Sequence, residues 1–207
     1  MTDWDQFKLN PVRNGNNKSL DGGKYIGLGT HEAIIDGVDL GAYEGGGIYV
    51  ELTFSNDDGQ TINDRLSPMY DGEYSRKFNS LAWGLCGNDG VLRFEYFLSK
   101  QSFLADNPKG WGALVGCGVQ IVVAKEKKGV VLEDNNGTFT LVDVATSEPC
   151  AMPDGSDNSF GSYKDAATAC RNNKIKRAYD KVSYFEGSAK DEVVAANQTA
   201  LKSLLAE

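Results

Sequence analysis

The chain has 207 residues with 24 glycines, one histidine and 29 acidic against 21 basic residues, which gives a formal net charge of −8. This length fits one soluble domain with short peripheral segments and excludes two full enzyme domains. Because 41% of the residues are apolar, the chain has enough material for a packed core, which excludes wholesale disorder.

Three strands are predicted in the first third of the chain. Residues 29–40 alternate loosely between apolar and polar side chains, and residues 48–54 alternate cleanly. The Asn-Asp-Asp-Gly turn at 56–59 then reverses the chain into a third strand at 60–66.

One helix is predicted in the middle of the chain. Asp71 is placed to cap a helix that starts at Gly72, apolar side chains recur at helical spacing up to Leu85, and Gly87 is placed to end it. Residues 91–98 fit either a strand or a short helix, and the pattern leaves both open.

The second half of the chain combines a β-meander with helices. The predicted strands are residues 119–125, 130–133 and 138–144, and an Asn-Gly turn typical of a hairpin joins the last two. Residues 148–162 are predicted as a loop, residues 163–180 as a largely helical segment and residues 193–204 as a short terminal helix.

Five or six short strands with a helix midway are typical of the partly open, five-stranded barrel called the oligonucleotide/oligosaccharide-binding (OB) fold. We therefore predict a mainly β protein with an OB-fold and peripheral helices, and a β-sandwich is the alternative. The predicted parts are an N-terminal arm at residues 1–20, the OB-fold domain at 21–185 and a helical tail at 186–207.

The sequence also predicts a cellular location. The longest aliphatic runs span four residues, such as 121–124, far below the roughly 20 that a membrane-spanning helix needs. The N-terminal residues lack the basic and apolar regions of a signal peptide, so we expect a cytoplasmic protein. Cysteines at positions 86, 117, 150 and 170 form no CxxC pair and are expected to be reduced, half-buried thiols.

Charge is unevenly distributed along the chain. Residues 21–60 carry eight acids and one base, and residues 131–163 carry six acids and no base. By contrast, residues 101–130 carry four bases and two acids, and residues 164–181 carry six bases and two acids. The net charge therefore does not exclude a polyanion, because two local basic segments are available to contact phosphates.

The sequence offers little for catalysis or metal binding. His31 lies in the first strand pattern without an acid or nucleophile on its own face of the strand, and the cysteines lack the close pairs of structural zinc sites. Asp57 and Asp58 do not have the spacing of a calcium loop, and the Gly-x-Gly strings do not continue into a nucleotide-binding motif. We expect no enzyme activity, no metal and no cofactor.

Aromatic and basic side chains that neighbour one another in sequence predict a surface for single-stranded nucleic acid. Bases stack on aromatic rings while Lys and Arg contact the phosphate backbone. The predicted DNA-binding residues are Tyr49, Tyr74, Arg76, Lys77, Arg93, Tyr96, Lys100, Phe103, Lys109, Trp111, Lys125, Lys127, Lys128, Lys174, Lys176 and Arg177.

The order of these segments resembles a known family. Residues 29–36 (GTHEAIID), residues 48–54 (IYVELTF), a helix with Arg76-Lys77-Phe78-Asn79 and residues 114–123 (LVGCGVQIVV) are similar to bacteriophage single-stranded DNA-binding proteins with an OB-fold. The resemblance covers residues 20–185. It implies coating of single strands in phage DNA replication or recombination, in the host cell cytoplasm.

The C-terminal tail departs from that family. Many of its members end in a dense acidic run that recruits the polymerase, whereas residues 187–207 carry few charges and fit an amphipathic helix. This helix is a candidate contact for replication proteins or for a second copy of the chain. We predict a sequence-tolerant single-stranded DNA-binding protein, and a structural or carbohydrate-binding β-sandwich of a virion is the alternative.

Overall fold

The structure is a computed structural model that describes residues 25–43, 47–70, 73–104 and 107–207. The predicted N-terminal arm, residues 1–20, and the predicted cap at Asp71 lie outside these residues. Within them the fold is mainly β with several helices, as the sequence predicts.

The strands are β1 (Gly29–Ala42), β2 (Ile48–Ser55), β3 (Thr61–Leu66), β4 (Met69–Tyr70), β5 (Glu73–Tyr74), β6 (Gly118–Lys125), β7 (Val130–Asn135), β8 (Thr138–Asp143) and β9 (Asp180–Glu186). The helices are α1 (Arg76–Cys86), α2 (Gly90–Arg93), α3 (Pro108–Gly112), α4 (Tyr163–Asn172) and α5 (Asp191–Leu205). A π-helical turn, Phe94–Leu98, follows α2 directly, so the segment that the sequence left open is helical.

Five strands form one sheet in the order β3-β2-β1-β6-β9. β1 pairs antiparallel with β2 on one side and with β6 on the other, and β2 pairs antiparallel with β3. Val50, Leu52 and Phe54 of β2 are fully buried on the inner face. The sheet is not closed within the described residues, and β3 and β9 are its edges.

β1 changes partners along its length. Its first residues pair with β6 and its later ones with β2, and the ladder to β2 shifts between Ile35 and Gly37. This shift marks a β-bulge at Asp36, and a bulge bends its strand. The bend allows one long strand to serve both halves of a curved sheet.

Helix α1 joins the two edges of the sheet. Lys77 forms an ion pair with the buried Asp64 of β3, and the Ser80 hydroxyl accepts a hydrogen bond of 3.2 Å from the Phe185 backbone N–H of β9. The helix begins at Arg76, after the Ser75 cap, and not at Gly72 as predicted. Residues 73–74 form β5 instead, and they pair with β4.

The described chain divides into two compact units. Unit 1 holds the described residues up to Val123 together with Val182–Glu207, and unit 2 holds Ala124–Lys181. Along the chain, unit 2 is therefore inserted between β6 and β9. Its β7–β8 hairpin turns at Asn136-Gly137, both with positive φ (58° and 89°), as the Asn-Gly pair predicts.

The predicted helix over residues 163–180 is wrong in its second half. α4 ends at Asn172, Lys174 adopts a left-handed φ of 53°, and the chain continues extended into β9. Ala178 and Val182 are buried while Tyr179 and Lys181 are exposed, as in a strand. Strand β9 is absent from the predicted elements, because the predicted helix includes only its first residue, Asp180, and residues 181–186 were assigned to no element.

The C-terminal helix α5 is a packed part of unit 1. The Asn197 side chain is buried and pairs with both backbone groups of Gly118, accepting from its N–H at 3.0 Å and donating to its carbonyl at 2.7 Å. Gln198 donates to the Cys86 carbonyl, and Leu201 is fully buried. Among the described residues, no helix has the length and apolar character needed to cross a bilayer.

We predict that Asn197→Ala lowers the free energy of unfolding by about 2–4 kcal/mol, because it leaves two buried backbone groups of Gly118 without partners. Urea denaturation followed by circular dichroism measures the change. Thr199→Ala, on the exposed side of the same helix, is the control and should stay within about 0.5 kcal/mol of the wild type. Equal effects of the two substitutions would contradict this role for Asn197.

Candidate nucleic-acid interface

Two basic segments of unit 2 run side by side. The Val130 N–H donates to the Lys176 carbonyl at 2.9 Å, the Ala178 N–H donates to the Val130 carbonyl at 2.8 Å, and the Glu126 N–H donates to the Tyr179 carbonyl at 3.0 Å. Gly129 fits here because a Cβ would lie 2.8 Å from the Lys176 carbonyl oxygen. Residues 125–130 are thereby held along residues 176–179.

This pairing concentrates positive charge. Residues 125–128 and 174–181 together carry seven bases and two acids, whereas the rest of unit 2 carries two bases and seven acids. We call the seven bases the basic surface; they are Lys125, Lys127, Lys128, Lys174, Lys176, Arg177 and Lys181. All are exposed except Arg177, which is half-buried.

Arg177 lies beside two tyrosine rings. Its guanidinium carbon is 5.2 Å from the centre of the Tyr163 ring and 5.0 Å from that of Tyr179, and its Nη2 donates to the Tyr163 hydroxyl at 2.5 Å. Cation–π contacts of this kind restrain the guanidinium. Tyr179 is 47% exposed, so an aromatic ring is available next to the cations.

A second aromatic surface lies on the outer face of unit 1. Tyr49 of β2 points away from the core, and its ring centre is 4.9 Å from that of Tyr43, which is 48% exposed. The Arg65 guanidinium of β3 lies 4.8 Å from the centre of the Tyr49 ring. We call Tyr43, Tyr49 and Arg65 the tyrosine cluster.

Strand register builds the tyrosine cluster. Tyr49 lies opposite Gly41 of β1, where a Cβ would be 2.3 Å from the ring, so glycine makes room for the tyrosine. Glu51 lies opposite Arg65, and the two form an ion pair. The hydrogen bond from Arg65 to Glu51 raises the pKa of Arg65 and holds its side chain along the sheet.

The acidic neighbours of the tyrosine cluster affect each other. Asp39 of β1 lies opposite Glu51. Partial burial of Asp39, together with the nearby Glu51 carboxylate, raises the pKa of Asp39. Arg65 thus compensates a locally acidic patch of the sheet.

Several predicted stacking residues belong to the core. Tyr96 is fully buried and donates to the Gly110 carbonyl at 2.7 Å, and Trp111 is 5% exposed with its ring 6.0 Å from Phe78. This corrects the expectation that these two rings lie at the surface. Half-buried Phe103 packs on Tyr96, with ring centres 5.2 Å apart.

Tyr74 also contributes to the core rather than to an open surface. It is half-buried, its ring stacks on Phe78 with centres 5.5 Å apart, and its hydroxyl donates to the Ser99 carbonyl. Among the predicted aromatic residues, Tyr49 is therefore the one on the outer face of the sheet.

The predicted cations of unit 1 have varied surroundings. Arg76, Lys100 and Lys109 are exposed, and Lys77 is paired with Asp64. The half-buried Arg93 lies 3.5 Å from the centre of the exposed Trp83 ring. By contrast, all six predicted cations of unit 2 belong to the basic surface.

Five residues in or beside these surfaces are not among the predicted set: Tyr43, Arg65, Tyr163, Tyr179 and Lys181. The hairpin turn at 56–59 fixes the register that places Arg65 opposite Glu51, so counting outward from the turn identifies Arg65. Tyr179 and Lys181 are both exposed and two residues apart, as in a strand, but the segment up to residue 180 was predicted to be helical.

The remaining reactive groups are engaged or buried. His31 Nε2 lies 2.9 Å from the Gly27 carbonyl, and the described residues contain no cluster of three or more metal-ligating side chains. The four cysteines are free, and Cys86, Cys117 and Cys170 are fully buried. Burial raises the pKa of Cys86 to about 12 and that of Cys117 to about 11, so both thiols stay protonated at neutral pH.

We predict that Tyr96→Phe lowers the free energy of unfolding by about 1–3 kcal/mol, because the Gly110 carbonyl loses its buried donor. Tyr179→Phe, at an exposed ring, is the matched control and should change stability by less than about 0.5 kcal/mol. Urea denaturation measures both. A Tyr96→Phe protein as stable as the wild type would contradict the core position of this hydroxyl.

No family model matches the sequence, and no curated protein matches it.

Proposed function

We propose that this protein binds single-stranded DNA without strong sequence preference and acts in phage DNA replication or recombination. The observation that carries the proposal is the basic surface, where seven cations lie together beside the exposed Tyr179 ring. Lysine and arginine side chains neutralise phosphates, and aromatic rings stack on any base.

The topology supports an OB-type barrel. In chain order, the five strands of the sheet are β1, β2, β3, β6 and β9, which we compare with strands 1 to 5 of an OB-fold. Strand 1 (β1) pairs with strand 2 (β2) and strand 4 (β6), and helix α1 lies between strand 3 (β3) and strand 4. OB-folds bind oligonucleotides on the face of strands 2 and 3 and through the loops between strands 1 and 2 and between strands 4 and 5. Tyr49 and Arg65 of the tyrosine cluster lie on strands 2 and 3 of this sheet, and in the chain unit 2 is inserted between strands 4 and 5.

The two surfaces suit a single strand better than a duplex. Stacking on Tyr43, Tyr49 or Tyr179 requires bases that are not paired within a helix. The acidic remainder of the chain repels a duplex, whose charge density is higher than that of a single strand. The proposal therefore includes preference for single strands.

Reaction chemistry is not part of the proposal. The protein acts by coating DNA, without metal or cofactor. Partner recruitment is not assigned to α5, because α5 buries Asn197 and Leu201 within unit 1.

We predict that the protein binds oligo(dT) at low salt and that this binding quenches its tyrosine and tryptophan fluorescence. Affinity should fall as salt rises, because phosphate contacts release counterions. A duplex of the same length should bind more weakly. Absence of binding at low salt, or equal affinity for duplex, would contradict the function. Salt-independent binding of a polysaccharide would favour the carbohydrate-binding alternative.

Charge reversal at the basic surface tests its location. We predict that Lys127→Glu with Lys128→Glu weakens oligo(dT) binding by about tenfold or more and lowers the salt slope, since two phosphate contacts are lost. The control reverses Lys164 and Lys190, two exposed lysines outside the basic surface. Equal losses in the two double variants would remove residues 127–128 from the site.

A third test addresses stacking. We predict that Tyr49→Ala weakens oligo(dT) binding by about 1–3 kcal/mol, the usual contribution of one stacked base. Tyr184→Ala is the control, because Tyr184 is 44% exposed on β9 and lies outside the tyrosine cluster. If Tyr49→Ala binds oligo(dT) as tightly as the wild type, the tyrosine cluster is not part of the DNA-binding site.

A further inference from the structure

One carboxylate lies within the basic surface and contacts two of its lysines. Lys181 Nζ donates to Glu126 Oε1 at 3.1 Å, and Lys176 Nζ lies 3.6 Å from the same oxygen. The side chain of Glu126 is 19% exposed, whereas those of Lys176 and Lys181 are 67% and 51% exposed. Both lysines are thus exposed to solvent, and both contact the same oxygen, Glu126 Oε1.

Glu126 is held in place by its backbone. Its N–H donates to the Tyr179 carbonyl at 3.0 Å, which holds Glu126 of the first basic segment against the second basic segment. Burial opposes its ionisation, but the hydrogen bond and charge of Lys181 and the charge of Lys176 outweigh burial and lower the pKa of Glu126. The carboxylate is therefore charged at neutral pH.

The ion pairs of Glu126 with the two exposed lysines are expected to add little to the stability of the fold. Ion pairs between exposed lysines and a carboxylate contribute little to stability, because water and salt screen them. A similar contact occurs in the tyrosine cluster, where Glu51 pairs with Arg65 beside the Tyr49 ring. In both surfaces, a carboxylate forms an ion pair with a cation of that surface.

We propose that Glu126 is an internal competitor for phosphate that sets the selectivity of the basic surface. In the free protein its carboxylate occupies Lys176 and Lys181, and a phosphate of the bound strand displaces it. An isolated anion competes poorly with a carboxylate that is tethered at the site. A polymer succeeds because its neighbouring phosphates contact Lys125, Lys127, Lys128 and Lys174 at the same time. This inference rests on the proposed DNA binding.

The salt dependence of oligo(dT) binding provides the test. In the wild type, Lys176 and Lys181 exchange a carboxylate for a phosphate and release few counterions. In Glu126→Gln both lysines are free, so the plot of log affinity against log salt should become steeper by about 1.4, which corresponds to two phosphates on a single strand. Affinity at low salt should rise several-fold, and inorganic phosphate should compete at lower concentration.

Two control variants separate this role from a general charge effect. Glu126→Asp keeps the carboxylate and should remain near the wild type in slope and affinity. Glu133→Gln removes one exposed charge elsewhere in unit 2 and should leave the slope unchanged. Thermal unfolding of each variant checks that the fold is intact.

The outcomes distinguish the inference from the proposed function. Wild-type binding together with an unchanged slope or weaker binding in Glu126→Gln would overturn the competitor role alone. The same slope change in Glu133→Gln would also overturn it. Absence of oligo(dT) binding by the wild type and by every variant would overturn both the function and this inference.

Discussion

Helix α1 contacts both edge strands of the five-stranded sheet, β3 and β9, and this sheet carries the tyrosine cluster. An open sheet leaves edge groups unpaired, and proteins cover such edges. Here the ion pair of Lys77 with the buried Asp64 fixes α1 to β3, and the Ser80 hydroxyl accepts a hydrogen bond from the Phe185 backbone N–H of β9. Tyr49 of β2 and Arg65 of β3, in the tyrosine cluster, lie on the sheet whose two edge strands this helix contacts.

Charge separation along the chain reconciles an acidic protein with the polyanionic partner that we propose. The formal net charge of −8 describes the sum, whereas a strand of DNA responds to the local field within about 10 Å at ordinary salt. Residues 125–128 are brought beside residues 174–181 by backbone hydrogen bonds, so positive charge that is distant in sequence becomes local. In the proposed competitor role, Glu126 limits how readily Lys176 and Lys181 accept an anion.

Local signals predicted the fold better than they predicted the interface. Alternation defined β2, and the Asn136-Gly137 turn defined the β7–β8 hairpin, because both signals are short-range. Proximity of aromatic rings to lysines in sequence failed for Tyr96 and Trp111, because helices direct neighbouring side chains to opposite faces and these rings face the core. The two basic segments are evident in the sequence, but their pairing is a long-range contact that no local pattern contains.

The central claim of the proposed function is that single-stranded DNA contacts two separate surfaces, the tyrosine cluster of unit 1 and the basic surface of unit 2. Ultraviolet cross-linking of the protein to oligo(dT), followed by mass spectrometry of the cross-linked peptides, tests it directly. The account predicts cross-links at Tyr43 or Tyr49 and at Tyr179, and protection of the buried Tyr96 and Trp111. Cross-links confined to other exposed rings such as Trp83, or none above the level obtained with duplex DNA, would contradict it.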